Sequence, residues 1–347
     1  MVKRVIKKVL KVIVDILVLA VLILGFILIT EFSPKNGEAL KTVGKSTVKL
    51  SKNAELSILT YNIGHLISSE SESLFIEGGS STKPSQKQVV TDNLEAVKKI
   101  IEDENVDIAL LQEVDYKSKV SYDVNEYVEL SNDFNGVSMY AVEQDAFIPY
   151  PFPNLIGSVK TGIGMLSKYD GDGCRLNLPQ TYEFPKRIFT AKKCLQKMVI
   201  PIENTDNKLV VINVDLEDYD DGSMRESQLE VLKEEMLLEY NKGNYVVAGG
   251  DFNMLFPKDE ANEYESINYT ITKIDSKVFP DDWNIVTDTS KKTFRLRNIP
   301  YNESESVTAT VDGFITTPNI EVKSVSAIDT GFKNTNHNPV KIKIKLK

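Results

Sequence analysis

The chain has little cysteine, little histidine and no surplus of positive charge. Cys174 and Cys194 are the only cysteines in 347 residues, too few for a disulfide scaffold and not spaced like a zinc site. One disulfide and two buried free thiols both fit the pair. With His65 and His337 as the only histidines, any imidazole chemistry rests on two positions. Net charge is −9, from 50 acidic and 41 basic side chains. Residues 1–30 hold five cationic side chains and one acidic one, so the rest of the chain carries −13. Such a body is not built to grip polyanionic nucleic acid by charge neutralisation, although a metal-dependent nuclease still manages locally. Nucleic acid is therefore not the favoured substrate, and a smaller or zwitterionic one fits better. A second linker is also missing: from Leu56 onward no Pro/Gly/Ser-rich stretch is long enough to divide the chain.

What is present begins at the amino end. Lys3, Arg4, Lys7, Lys8 and Lys11 make residues 1–11 a basic segment, and residues 12–30 are nineteen positions whose only charge is Asp15. As a helix these rise about 1.5 Å each, roughly 28 Å in all, close to a bilayer's hydrocarbon thickness. The expectation is one transmembrane helix. A cleaved signal peptide shares the pattern, but its small-residue cleavage site is missing from Thr30-Glu31-Phe32-Ser33-Pro34-Lys35. Under the positive-inside rule the basic end is cytoplasmic, which makes a single-pass cell-membrane protein with an extracytoplasmic body. Residues 31–54, polar and Lys-rich, read as a linker. Residues 55–347 read as one domain, monomeric, with 68–85 as a long surface loop.

Within that domain strands and helices alternate loosely. Period-two or short apolar runs predict strands near 56–61, 106–111, 162–166, 198–202, 209–214, 245–248, 310–315 and 340–346. The last, Val-Lys-Ile-Lys-Ile-Lys-Leu, has one apolar and one charged face and reads as a half-exposed outer strand. Val90, Leu94, Val97 and Ile101 mark an amphipathic helix, and a second spans about 224–240 with Asp221 or Ser223 as its cap. Many strands with helices between them suggest two sheets packed face to face, helices outside.

Polar residues collect at the strand ends. Asn62, Glu113, Asp215, Asp251 with Asn253, and Asp312 each follow or interrupt an apolar run, and His337 precedes the last strand. Gly250-Asp251-Phe252-Asn253 alone reads as a turn, since Gly and Asn tolerate positive φ and Asp bonds its own backbone. Set beside the other strand ends, its acid and amide suit a phosphoester site, the carboxylate orienting a water and the amide steadying the phosphate or metal.

Seven segments in order carry a resemblance. They are Thr60-Tyr61-Asn62-Ile63, Leu111-Gln112-Glu113-Val114, residues 162–167, residues 211–216, Gly250-Asp251-Phe252-Asn253, Val311-Asp312-Gly313-Phe314 and Asn336-His337-Asn338-Pro339-Val340. Together the chain resembles the endonuclease/exonuclease/phosphatase superfamily of DNase I-like nucleases, bacterial sphingomyelinases and inositol-polyphosphate phosphatases. The resemblance implies a four-layered α/β sandwich, two packed, mostly antiparallel sheets flanked by helices. It also implies magnesium, with manganese as a substitute, and hydrolysis of a phosphoester. Carried over, Glu113 and Asn62 hold the metal, Asp251 orients or deprotonates the water, Asn253 holds a phosphoryl oxygen, and Asp312 fixes His337. His65, three residues after Asn62, has two readings, a cleft-lining residue and a loop histidine with no assigned role, and the second is favoured.

Two positions depart from the pattern. Asp215 stands where much of the family has a histidine that binds phosphate or protonates the leaving group, and a carboxylate there repels phosphate unless protonated or bound to a cation. Asn336 stands where the family usually has Asp. The expectation is a membrane-anchored magnesium phosphodiesterase acting on a phospholipid head group, a nucleic acid or a small soluble diester. Its alternative is a catalytically weakened member that binds or scaffolds. Pro149, Tyr150, Pro151, Phe152 and Pro153 are expected to form a rigid packed loop, with a lipid-facing or substrate loop as the other reading.

Overall fold

The computed structural model describes residues 2–71, 73–180, 182–259, 264–265 and 269–347. Among the described residues helix α1, Val2–Thr30, stands apart from the core, and nearly all its apolar side chains are exposed. It is long and apolar enough to cross a membrane.

The body is built on two seven-stranded sheets. One runs in the order Glu38–Leu40, Asp172–Asn177, Cys194–Pro201, Lys208–Asp215, Tyr245–Asp251, Asp312–Thr316, Asn284–Val286. The other runs Ile320–Ala327, Val340–Leu346, Glu55–Asn62, Ile108–Asp115, Gly157–Ser167, Val137–Ile148, Val43–Gly44. All neighbours are antiparallel except one central pair in each sheet, Lys208–Asp215 with Tyr245–Asp251 and Glu55–Asn62 with Ile108–Asp115. Side chains alternate across a strand, so Leu56, Ile58, Leu110, Val211, Val247 and Phe314 meet between the sheets. The opposite parity faces outward. Leu59, Tyr61, Ala109 and Leu111 pack under α2, Lys87–Glu104, and α3, Glu126–Asp133. Val210, Ile212, Val246 and Ala248 pack under α4, Ser223–Asn241. Four layers result. Each fully buried aliphatic or aromatic side chain contributes about 1.5–3 kcal/mol relative to exposure.

Several expectations change. Residues 31–54 are no free stalk: Glu38–Leu40 pairs with one sheet, Val43–Gly44 with the other, and Leu50 is buried between them. Edge strands this short carry no readable period. Within 68–85, Ser68, Leu74 and Glu77 are buried, because Glu77 pairs with Arg297 at 2.6 Å. The strand Val340–Leu346 alternates as expected but lies between two others, so its charged face is exposed without its being an edge. Gly222 is the cap residue of α4, while Asp221 and Asp220 accept from the Ser223 and Met224 amides at 3.1 and 2.7 Å. Both cysteines are free. The 149–153 loop is not packed throughout: Phe152 is 90% exposed.

Candidate active site

The parity that places Ile58, Val211, Val247 and Phe314 between the sheets also places Asn62, Asp215, Asp251 and Asp312 there, at one end. Toward that end the interlayer turns polar. Gln112 Nε2 donates to Asn213 Oδ1 at 2.6 Å, and Asn213 Nδ2 donates to the Gly164 carbonyl at 2.9 Å and to Gln196 Oε1 at 3.2 Å. Glu113 has the wrong parity and reaches the site by other means. The pairing of Ile108–Asp115 with Gly157–Ser167 slips between Leu111 and Val114, and Glu113 takes φ +50. That bulge turns its carboxylate toward the cleft instead of the helices.

The side chains meet in one network. Asn62 Nδ2 donates to Glu113 Oε1 at 3.2 Å and to Asp251 Oδ2 at 2.9 Å, and Asn62 Oδ1 accepts from the Gly64 amide at 2.9 Å. Asp251 Oδ1 accepts the Asn253 amide at 2.8 Å, so the segment is both a turn and part of the site. His337 Nδ1 lies 2.9 Å from Asp312 Oδ2 and its Nε2 3.6 Å from Asp251 Oδ2. Burial opposes the imidazolium, but Asp312 and Asp251 outweigh it and raise His337 to about 9. Burial, with Asp312 and Asp215 nearby, lifts Asp251 to about 7 despite the attraction of His337. Asn253 Nδ2 spends one hydrogen on the Leu216 carbonyl at 3.0 Å, and its Oδ1 accepts from the Tyr269 hydroxyl at 2.5 Å. Among the described residues no acceptor meets the other amide hydrogen, which is available to a ligand.

A cleft of about 400 Å³ opens over this network, with Glu113, Asp215, Asn253 and His337 in its walls. Asn62, Asp251 and Asp312 stand one hydrogen bond behind them. Lys193, Arg297 and His65 also line the cleft, the last against the favoured reading of it as a loop histidine. Lys193 Nζ is 2.8 Å from Asp215 Oδ2, and although burial works against it, Asp215 and Glu143 hold it firmly protonated. Burial still lifts Asp215 to about 8, against the pull of Lys193. Arg297 lines the cleft and stands 3.9 Å from Glu113 Oε2. His65, expected as a bystander, lies 3.4 Å from Glu113 Oε2 and 3.0 Å from Asp115 Oδ1. Burial opposes its protonation, yet Asp115 and Glu113 raise its pKa. Lys193 and Arg297 sit outside any strand-end motif, which is why sequence patterning passes over them. The two departures do not compensate each other directly: Asp215 is held by Lys193, whereas Asn336 packs its amide against Gly64.

These residues fit a divalent cation at Glu113. Its Oε2 is buried and accepts no hydrogen bond among the described residues. Burial pushes the carboxyl up, but His65 and Arg297 override it and hold Glu113 at about 2, ionised at every working pH. Asp251, Asp312 and His337 also bring ligand atoms within 4.8 Å of one another. An imidazolium clamped by two acids, however, has a proton on each nitrogen and no lone pair for a metal.

A model of the endonuclease/exonuclease/phosphatase family matches residues 59–328. The chain belongs to that family. Its members are generally phosphoester hydrolases, nucleases and phosphodiesterases among them, and typically depend on a divalent metal. Solved family structures share the fold at low identity. An endonuclease/exonuclease/phosphatase from Beutenbergia cavernae aligns at 16% identity and TM-score 0.58, over 84% of this chain and 72% of its own. One from Bacteroides vulgatus aligns at 13% and 0.51, over 85% and 100%. TDP2 from Caenorhabditis elegans aligns at 14% and 0.51, over 85% and 75%. A search of curated proteins returned no match. Among the strand-end residues of this chain, Glu113, Asp215, Asn253 and His337 line the cleft, and Lys193 stands in its wall beside Asp215.

Proposed function

We propose that this chain is a magnesium-dependent phosphodiesterase, anchored by α1 with its body outside the cytoplasm. The observation that carries the reading is the continuous network Glu113, Asn62, Asp251, His337 and Asp312 beneath a single cleft. Glu113 is the residue to hold magnesium, which when bound would polarise a phosphoryl oxygen. Asn62, whose oxygen accepts the Gly64 amide, reaches Glu113 through its Nδ2 and as placed steadies that carboxylate, joining the metal only if its amide flips. Asp251, with a pKa near neutrality, is suited to take a proton from the attacking water. His337, kept cationic, and the free amide hydrogen of Asn253 face the phosphate. Asp215, whose carboxyl burial lifts to about 8 against the pull of Lys193, is placed to give a proton to the leaving oxygen, the task that the family resemblance gives to a histidine there. Atoms balance: the water oxygen bonds phosphorus, the ester P–O bond breaks, one proton passes to Asp251 and one from Asp215 to the departing alkoxide.

Purified in detergent with magnesium, the full chain is expected to hydrolyse bis(p-nitrophenyl) phosphate, and Asp251→Ala to lose about a thousandfold in kcat. Absence of turnover with magnesium and with manganese contradicts the reading. The alternative, a weakened member kept for binding, draws on Asp215 and Asn336. Lys193 favours the active reading, since a lost histidine alone does not call for a buried ammonium beside its replacement.

A further inference from the structure

Outside α1, ten large apolar side chains are exposed among the described residues, and five of them, Phe147, Tyr150, Phe152, Leu155 and Phe184, lie on or beside two loops. One is the turn joining Val137–Ile148 to Gly157–Ser167; the other is 182–192. The loops touch: the Tyr150 ring meets Phe189 edge-on at 6.2 Å, and Gln144 Nε2 donates to the Phe189 carbonyl at 2.6 Å. Both loops line the cleft, through Ile148 and Tyr150 on one side and Tyr182, Lys186 and Phe189 on the other. The exposed rings therefore form a rim around the cleft mouth. An apolar rim of this kind marks a surface that meets something apolar.

The chain itself says what. Helix α1 ends at Thr30, and the next residue is already held by the body: Glu31 Oε1 lies 3.2 Å from Arg187 Nε and 3.5 Å from Lys192 Nζ. Asn177 Nδ2 then donates to the Pro34 carbonyl at 3.0 Å, and the Asn177 amide to Asn36 Oδ1 at 2.9 Å. No slack separates the apolar helix from the body. Arg187 is three residues from Phe184 on the same loop, so a bilayer crossed by α1 meets the body at the rim. Lys186 and Arg187 among aromatics give this loop the composition of a membrane interface, rings in the apolar zone and cations at the phosphates.

We infer that Phe147, Phe152, Leu155 and Phe184 dip into the bilayer that α1 crosses, and that the cleft opens onto its surface and takes the phosphodiester of a lipid head group. This rests on the phosphodiesterase reading above and names its substrate class. The chemistry is the same displacement, water adding to phosphorus as the P–O bond to the leaving alcohol breaks.

The test uses the full chain in lipid nanodiscs. With Phe152→Trp, brominated phosphatidylcholine is expected to quench the new fluorescence relative to unbrominated lipid, over the constant background of buried Trp283. Equal fluorescence in the two lipids overturns the docking. In parallel, Phe152→Ser with Phe184→Ser is expected to lose at least about tenfold in rate on phospholipid, since two rings leave the apolar phase, with turnover of bis(p-nitrophenyl) phosphate unchanged. Equal loss on both substrates, or none on lipid, overturns the inference. A wild-type chain that turns over bis(p-nitrophenyl) phosphate but no phospholipid defeats the substrate class alone. One that turns over neither defeats the phosphodiesterase reading, while the quenching result still decides the docking.

Discussion

The Lys193 ammonium stands 2.8 Å from Asp215, the carboxylate at the position where the family resemblance implies a histidine. Restoring the family residues with Asp215→His and Asn336→Asp sets an imidazole against this lysine, so kcat is expected to fall by about tenfold or more. A large gain instead supports a weakened parent. Titration at this scale has a definite sign. In protein stripped of metal with a chelator, His337 is raised above its ordinary 6.5 to about 9, so its stabilisation is complete below 6.5 and lost as pH rises through 9. Asp251 and Asp215, raised from 3.8 to about 7 and about 8, lose theirs as pH rises through those values. All three act together, and the melting temperature of the metal-free chain is expected to fall from pH 6 to pH 9. Asp215→Asn should flatten the fall between 6 and 8. A melting temperature that rises over this range contradicts the assignment of these groups.

At the scale of elements, strand parity made most of the site readable in the sequence. Asn62, Asp215, Asp251 and Asp312 follow apolar runs with the alternation that puts them between sheets. Glu113 does not: its placement comes from a one-residue slip against Gly157–Ser167, and nothing in Leu111-Gln112-Glu113-Val114 announces a bulge. Lys193 and Arg297 were equally illegible, because each acts from outside a periodic segment and finds its partner only through tertiary packing. The short strands in 31–54 escaped for want of length. Close approach is a further constraint that the sequence states only as a glycine. A Cβ at Gly250 would sit 1.9 Å from the Val214 carbonyl oxygen on the parallel neighbour. Gly250→Ala must part the strands that carry Asp215 and Asp251, and is expected to cost about 2–4 kcal/mol, read as a lowered melting temperature in detergent. An unchanged melting temperature would mean that the two strands do not pack this closely.

For the whole molecule, the family fold supplies a rigid four-layered frame, and the polar end of its interlayer supplies the cleft. α1 is long and apolar enough to cross a membrane, and on the reading proposed above it and the apolar rim orient that cleft toward the bilayer, while the acidic body disfavours polyanions. The central claim is that Glu113 holds a catalytic magnesium above the Asp251 and His337 network. Its most direct test is the turnover of bis(p-nitrophenyl) phosphate by the detergent-purified full chain as magnesium is titrated, wild type beside Glu113→Gln. The wild type is expected to show saturable activation that a chelator abolishes, and Glu113→Gln to need far more magnesium or to stay inactive. Turnover that ignores the chelator, or a Glu113→Gln curve superimposed on the wild type, would contradict it.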